Sequence, residues 1–421
     1  MTGLRTELTR TEKSPKTFSH YRNRKLIVAV VASASLLIVG GSIAAATVGK
    51  TTTHSSSHAG NADNPMQPTS GTWTVPANET DAPVVPISGG ASNGNGNFNA
   101  LSCQTSTDCV AVGSDNNLVG VIATTTDGGS SWTQGTVDSG EPELNAVTCS
   151  SSTTCVAVGN GATASSSDGG ATWTTNSIPT SNTSLLGVSC PTSTTCVSAG
   201  VSPGNDGPYD GQLLVSSDGG NTWSVPTLPT EVGALGSVDC PSANFCVAVG
   251  AQILVSDDGG QTWTAQFVDG GTGILRSVSC SSPTACVALG SNPDGVDDAQ
   301  AAAFGIVTTD GGATWTSTTM PEGSWTVNGI SCSNGADCTI GGLSTTGGTA
   351  PAWTSTDGGN TWTSVDLPSG VSAVASLSCQ SDTECVLVGL QGSQPVSGSS
   401  QGSQWTISPD SSAFSSSAAS L

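Results

Sequence analysis

The sequence is poor in charge, and in positive charge above all. Only 10% of its 421 residues are Asp, Glu, Lys or Arg, against about a quarter in an ordinary globular chain, which excludes long charged helices and coiled coils. The nine cations are unevenly placed. Arg5, Arg10, Lys13, Lys16, Arg22, Arg24 and Lys25 precede a long apolar run, Lys50 follows it, and after that Arg276 stands alone. Residues 51–421 therefore carry 29 acids and one base, a formal charge of −28. Such a body repels nucleic acid and anionic lipid, because affinity for either comes from Lys and Arg meeting phosphates. Histidine is missing from the same region, since His20, His54 and His58 all lie before residue 59, and no lysine follows Lys50. Imidazole base catalysis and Schiff-base chemistry are excluded there, so any reaction would have to run on carboxylates.

Leu26 to Val48 is uncharged over 23 residues, about 34 Å as a helix and enough to cross a hydrocarbon core roughly 30 Å thick. Seven cations before it against Glu7 and Glu12 place residues 1–25 in the cytoplasm by the positive-inside rule. The chain is thus expected to carry a single-pass signal anchor at 26–48, with everything after Lys50 outside the cell membrane. Ala44-Ala45-Ala46 also resembles a small-residue cleavage site, so a cleaved signal peptide is the competing reading. Either way the body is exported. Residues 49–70 are Ser/Thr-rich and too polar to bury a core, as are residues 408–421, and both are expected to lack a fold.

Fourteen cysteines fall into seven pairs, each with five residues between its members: Cys103/Cys109, Cys149/Cys155, Cys190/Cys196, Cys240/Cys246, Cys280/Cys286, Cys332/Cys338 and Cys379/Cys385. First cysteines recur every 40 to 52 residues, the period of four-stranded propeller blades. Zinc ligation wants C-x2-C spacing with more Cys or His converging, and the body has no His. In an exported chain the pairs read as disulfides across a hairpin, each worth roughly 2 kcal/mol. The second cysteine usually opens an alternating apolar stretch such as CVAVG at 109, 155 and 246.

A second motif follows each of the first six pairs: TTDGGSSWT at 125, SSDGGATWT at 166, SSDGGNTWS at 216, SDDGGQTWT at 256, TTDGGATWT at 308 and STDGGNTWT at 355. Asp-Gly-Gly between two strand-like runs is a tight turn, in which Asp accepts local N–H bonds and Gly takes positive φ. The Trp is expected to pack against the next repeat. The pattern S/T-x-D-x-G-x-x-W resembles the Asp box, or bacterial neuraminidase repeat, of sialidases, sortilin-like ectodomains, some xyloglucan-type glycosidases and photosystem II assembly-factor propellers. That resemblance makes Asp127, Asp168, Asp218, Asp258, Asp310 and Asp357 turn-makers and not catalysts. It implies an all-β fold over residues 71–407: a seven-bladed β-propeller of four-stranded antiparallel blades, preceded by one N-terminal transmembrane helix. The seventh repeat keeps Trp405 but has no box. The GTWTVP around Trp73 is therefore a candidate to supply the outer strand that closes the ring.

Strand parity then locates the variable face. Turns within the cysteine hairpins and the boxes emerge at one end of each blade, and the other connections at the opposite end, where loop lengths vary. Candidate binding residues there are Asp206, Tyr209 and Asp210 in the third repeat, Asp294, Asp297 and Asp298 in the fifth, and Trp325. Asp138, Glu141, Glu143, Glu231, Asp269 with Arg276, and Glu322 lie on the same side by parity. Clustered carboxylates have the chemistry of Ca²⁺ ligands or of solvated loop acids, and no run has the spacing of a calcium loop. No metal, cofactor or catalytic residue is assigned.

Two functions fit. A non-catalytic scaffold binding an envelope protein or a glycan needs only rigidity and a variable rim. A two-carboxylate glycoside hydrolase would need paired acids such as Asp294/Asp298 or Asp206/Asp210. A sialidase is excluded, because that family clamps its substrate with three arginines and uses a Tyr nucleophile, whereas the body has Arg276 and Tyr209 alone.

Overall fold

The computed structural model describes residues 97–409 except 116, 136–141, 205–208, 267–273, 292–302, 322–324, 334–335, 345–347, 382, 393 and 402–403. The expected membrane span, the stalk, Trp73 and the C-terminal tail lie outside the described residues, and among these no helix is long and apolar enough to cross a membrane.

The described chain is all-β. Strands come in successive groups, each opening on a strand that ends near a first cysteine. The first group is β1 (Asn97–Cys103), β2 (Cys109–Ser114), β3 (Gly120–Thr125) and β4 (Thr133–Gln134); the second is β5 (Leu144–Cys149), β6 (Cys155–Gly159), β7 (Ala162–Ser166) and β8 (Thr174–Ser177). The third is β9 (Ser184–Ser189), β10 (Cys196–Pro203) and β11 (Tyr209–Ser216), with a single bridge from Val215 to Ser224 in place of a fourth strand. The fourth is β12 (Leu235–Asp239), β13 (Cys246–Gly250), β14 (Ile253–Ser256) and β15 (Thr264–Gln266), and the fifth is β16 (Ile274–Ser282), β17 (Ala285–Ser291), β18 (Ala303–Thr308) and β19 (Thr316–Thr318). Last come β20 (Trp325–Ser333), β21 (Asp337–Ser344), β22 (Ala352–Ser355) and β23 (Thr363–Ser364), then β24 (Val371–Cys379), β25 (Cys385–Gln391), β26 (Gln394–Gln401) and β27 (Gln404–Pro409). Each group is an antiparallel meander, and the last two merge into one sheet through Leu343 opposite Ala373.

All seven cysteine pairs are bonded. Where β1 meets β2, Cys103 and Cys109 sit directly opposite each other. Successive groups then stack on the alternation of the second strand. In β6, Val156 and Val158 join a core with Leu185, Val188 and Trp223 of the third group. The residues between them point the other way, so that Cys155 and Ala157 meet Val110, Val112 and Ile122 of the first group. A bulky face thus meets a small one, which lets sheets pack closely without voids. It also explains why CVAVG is buried on both sides.

The array closes on itself. Each opening strand contacts the next, from β1 through β5, β9, β12, β16 and β20 to β24, and β24 contacts β1. Val386 and Val388 share a core with Phe98, Leu101 and Trp132. Among the described residues the last group is completed from its own C-terminal side. The chain doubles back after β26, with Gln401 opposite Gln404, so β27 and its Trp405 fill the place for which Trp73 was a candidate. The seam is held instead by Leu101 N–H donating to Ser376 Oγ (3.2 Å), Cys103 N–H to Ser378 Oγ (3.2 Å) and Gln380 Nε2 to the Cys103 carbonyl (2.7 Å).

The tryptophans correct a second expectation. Trp173 packs on Val110, Val112 and Ile122, and Trp263 on Val197, Ala199 and Leu213, which in both cases belong to the preceding group and not the next. The box itself is the cause. Its second glycine, Gly260 at φ +85°, leaves a Cβ position 2.8 Å from Val197 Cγ2 and beside the Trp263 ring. Only a residue without a side chain lets the turn lie on the preceding sheet, and the indole follows it there.

Candidate functional site

The opening strands carry the feature that shapes the axis. Each has a register shift that inserts Asn99, Asn145, Leu186, Gly236, Arg276, Asn328 or Ala375 between paired residues, and β16 and β24 each have a second one. These are β-bulges, which re-aim a side chain. All seven inserted residues line an axial cavity of about 200 Å³. Three of them reach to the next group: Asn99, Asn145 and Asn328 each donate from Nδ2 to a carbonyl, of Leu144, Leu185 and Val374 respectively, all at 2.9 Å. Asn99 Nδ2 and Ser114 Oγ also both donate to Glu143 Oε1 (3.2 Å each).

A second set of bonds joins the opening strands at their cysteine ends. The residue before a first cysteine accepts the backbone N–H of the next group's first cysteine: Ser102 from Cys149 (3.0 Å), Ser189 from Cys240 (3.0 Å), Ser279 from Cys332 (2.9 Å) and Ser331 from Cys379 (3.0 Å). Asp239 holds this place in the fourth group. It accepts from Cys280 N–H at 2.7 Å and from Ser189 Oγ at 3.2 Å. Burial raises its pKa from 3.8 to about 6, against the lowering effect of those bonds. With a folded value above the unfolded one, the unfolded chain gives up the proton first, so stability falls as pH rises between roughly 4 and 6. The penalty above pH 6 is about 3 kcal/mol. Asp239→Ser, the residue used elsewhere at this place, is expected to raise the urea stability at pH 7.5 by about 2–3 kcal/mol, and to lose that gain near pH 3.5. A gain equal at both pH values would show that the buried charge is not its source.

The boxes close the same end. In the fourth, Asp258 Oδ1 accepts from Ser256 Oγ and Thr262 N–H (2.9 Å each) and Oδ2 from Thr262 Oγ (2.6 Å). In Asp168 and Asp310 the threonine hydroxyl four residues on leads a lowering of the pKa. In Asp127, Asp218, Asp258 and Asp357 partial burial pushes upward, and bonds of the same kind outweigh it. All six are held ionised, the opposite of what a general acid needs. Each box's first glycine donates its N–H to the cysteine hairpin of its own group, as Gly259 does to Asn244 O (2.7 Å) and Gly169 to Thr153 O (2.8 Å). Boxes and disulfide hairpins therefore share one end.

At the other end the structure joins two of the candidate stretches. Tyr209 and Asp210 pair with Pro203 and Ser202, and Asp210 also bridges to Gly233. Beside it Glu231, at φ +64°, accepts from Gln252 Nε2 through its carbonyl (2.9 Å). Trp325 opens β20 opposite Ser344. Asp206, Asp294, Asp297 and Asp298 lie outside the described residues, as do Asp138, Glu141, Asp269 and Glu322. Among the described residues no three His, Cys, Asp or Glu side chains converge as a metal site.

A family profile for the BNR/Asp-box repeat matches residues 254–265, the fourth box with its flanking strands. The chain carries a BNR/Asp-box repeat at that place. No curated protein matches it in sequence. The fold of the chain is similar to that of the GH74 xyloglucanase from Xanthomonas campestris (TM-score 0.54, 13% identity, 75% of this chain and 53% of that one). It is also similar to YCF48 from Cyanidioschyzon merolae (0.51, 14%, 74% and 97%) and to U3-55K (0.51, 12%, 71% and 89%). The Asp-box chain spans about half the xyloglucanase's length, and at these identities the likeness is one of β-propeller fold.

Proposed function

We propose that the chain is a seven-bladed β-propeller, anchored through residues 26–48 and displayed outside the membrane, that acts as a non-catalytic scaffold for an envelope protein or glycan. The supporting observation is the division of its ends. Box-to-hairpin hydrogen bonds occupy one end, which leaves the variable loops and the bulge side chains of the axis for the other. A rigid frame with its variation confined to one rim is the arrangement of a binding module. The GH74 xyloglucanase, of similar fold, supplies the competing reading, a carboxylate glycosidase acting through the loop acids.

One pair of assays on the full-length protein separates them. In-envelope cross-linking of the wild type is expected to enrich a defined partner that a variant with Tyr209→Ala and alanine at Asp294, Asp297 and Asp298 no longer captures. Cleavage of xyloglucan or another polysaccharide by the wild type, lost in that variant, would replace the scaffold by the hydrolase.

A further inference from the structure

The residue before each second cysteine varies along the chain: Asp108, Thr154, Thr195, Phe245, Ala285, Asp337 and Glu384. Phe245 is buried in the core between the fourth and fifth groups, with Val247, Cys280 and Cys286. Its ring reaches the fifth box, where Cε2 lies 3.7 Å from where a Cβ on Gly311 would stand. One group on, Ala285 is the smallest residue found at this place, and between the fifth and sixth groups there is a cavity of about 260 Å³. Its lining repeats the surroundings of Phe245: Val287 stands for Val247, Cys332 and Cys338 for Cys280 and Cys286, and Gly358 for Gly311. Val287 and Cys338 are buried, whereas Thr309, Asp357 and Asn360 are exposed, so the cavity opens to solvent at the box end. Its rim is bonded within the sixth box, since Asp357 accepts from Ser355 Oγ, Thr361 N–H and Thr361 Oγ, and Asn360 Nδ2 donates to the Asp357 carbonyl. What the interior offers is therefore apolar and sized for a ring, which such a void holds in preference to water. Charge sets what accompanies the ring. Asp357 is held ionised, Asp310 and Asp337 adjoin the lining residues Thr309 and Ala336, and a body of −28 draws cations toward them.

We propose that this cavity is a docking site for an aromatic side chain on a basic segment of a partner polypeptide, the ring seated as Phe245 is seated one group earlier and the flanking Lys or Arg facing Asp357, Asp310 and Asp337. The inference goes beyond the scaffold reading, because the site lies at the box end and not among the variable loops, and neither depends on the other. A cavity that is only a packing defect left by Ala285 predicts instead that no ring is bound.

The test uses the full-length protein and a capped Lys-Phe-Lys peptide whose ring carries a para-fluorine, followed by fluorine NMR. Saturable broadening of the fluorine resonance is expected, reversed by the unlabelled Lys-Phe-Lys peptide and not by Lys-Ala-Lys. Affinity should fall at least fivefold when both lysines of the peptide are replaced by glutamates, and should weaken as salt is added. Ala285→Phe, which fills the cavity from within as Phe245 does its own site, is expected to reduce binding at least tenfold. Ala336→Thr places on the sixth group's side of the cavity the residue that Thr107, Thr153, Thr194, Thr284 and Thr383 supply elsewhere, and should weaken binding several-fold. Absence of saturable binding, equal displacement by Lys-Ala-Lys, equal affinity of the glutamate peptide, or unchanged affinity in a folded Ala285→Phe overturns the proposal. If Ala285→Phe does not fold, unchanged affinity in Ala336→Thr overturns it instead. Loop-dependent partner capture with no ring binding would end this inference and leave the scaffold standing.

Discussion

Full reduction and alkylation of the seven disulfides is expected to abolish the cooperative unfolding transition at 25 °C. Each bond closes a separation of six residues, for which the chain-entropy account gives roughly 2 kcal/mol. Together they contribute on the order of 14 kcal/mol, near the whole stability of an ordinary domain. The loss would not stay local. Every core between sheets draws on two groups, as where Val197 and Leu213 of the third pack with Leu254 and Trp263 of the fourth. A group that loosens therefore exposes a face on each neighbour, and the closing strands add little, since β4 and β23 have two residues each. The second cysteines are packed away, Cys246 fully so, so reduction is best done in denaturant and followed by its removal. Tryptophan fluorescence against urea reads the outcome. A sigmoidal transition within about 1 kcal/mol of the oxidised protein would mean that the hairpins hold without their cross-links.

What could be read from the letters was what is local in the chain. Cross-links over six residues and a box whose bonds span two to four residues are written out in order, so the disulfides and the turn role of Asp258 follow from spacing and side-chain chemistry. Their shared end followed from strand parity. The direction of Trp263 did not, because alternation says which face a residue takes but not which neighbour covers it. The axial lacing was missed for a related reason: Asn99 to Leu144 and Ser189 to Cys240 join residues about 45 to 50 apart. Yet a signal was present. A Ser, Thr or Asp precedes every first cysteine, and an obligate oxygen at a strand's end asks for a donor from the adjoining sheet. The seventh repeat lacks a box, which in the sequence leaves its outer strand open between Trp73 and Trp405; in the structure β27, with Gln404 opposite Gln401, takes that place.

Gly250→Ala is expected to cost about 3 kcal/mol or more, and it tests whether the bulges that form the axis are built in from outside. Gly250 ends β13 opposite the bulge of β12. A Cβ there would stand 2.1 Å from the Ala234 carbonyl oxygen and 2.7 Å from Leu235 Cα, both backbone atoms that cannot swing aside. The contact recurs at the glycine at or next to the end of the second strand in other groups, with Gly113 at 1.8 Å from the Asn97 oxygen, Gly159 at 2.0 Å from that of Glu143 and Gly290 at 2.2 Å from that of Ile274. The bulge brings the opening strand's carbonyl inward, and glycine is what admits it. Forcing in a methyl group must push that strand or flatten the bulge, an overpacking that costs about 1–3 kcal/mol even where side chains can yield. Gly161→Ala is the control, since Gly161 has φ +82° with nothing within 4 Å of a built Cβ and should lose only the left-handed penalty of about 1–2 kcal/mol. Urea midpoints for the two variants decide the matter. Gly250→Ala no costlier than Gly161→Ala would mean that the opening strand bulges of its own accord. A larger loss ties the position of Arg276 and Asn328 to glycines on strands that never line the cavity.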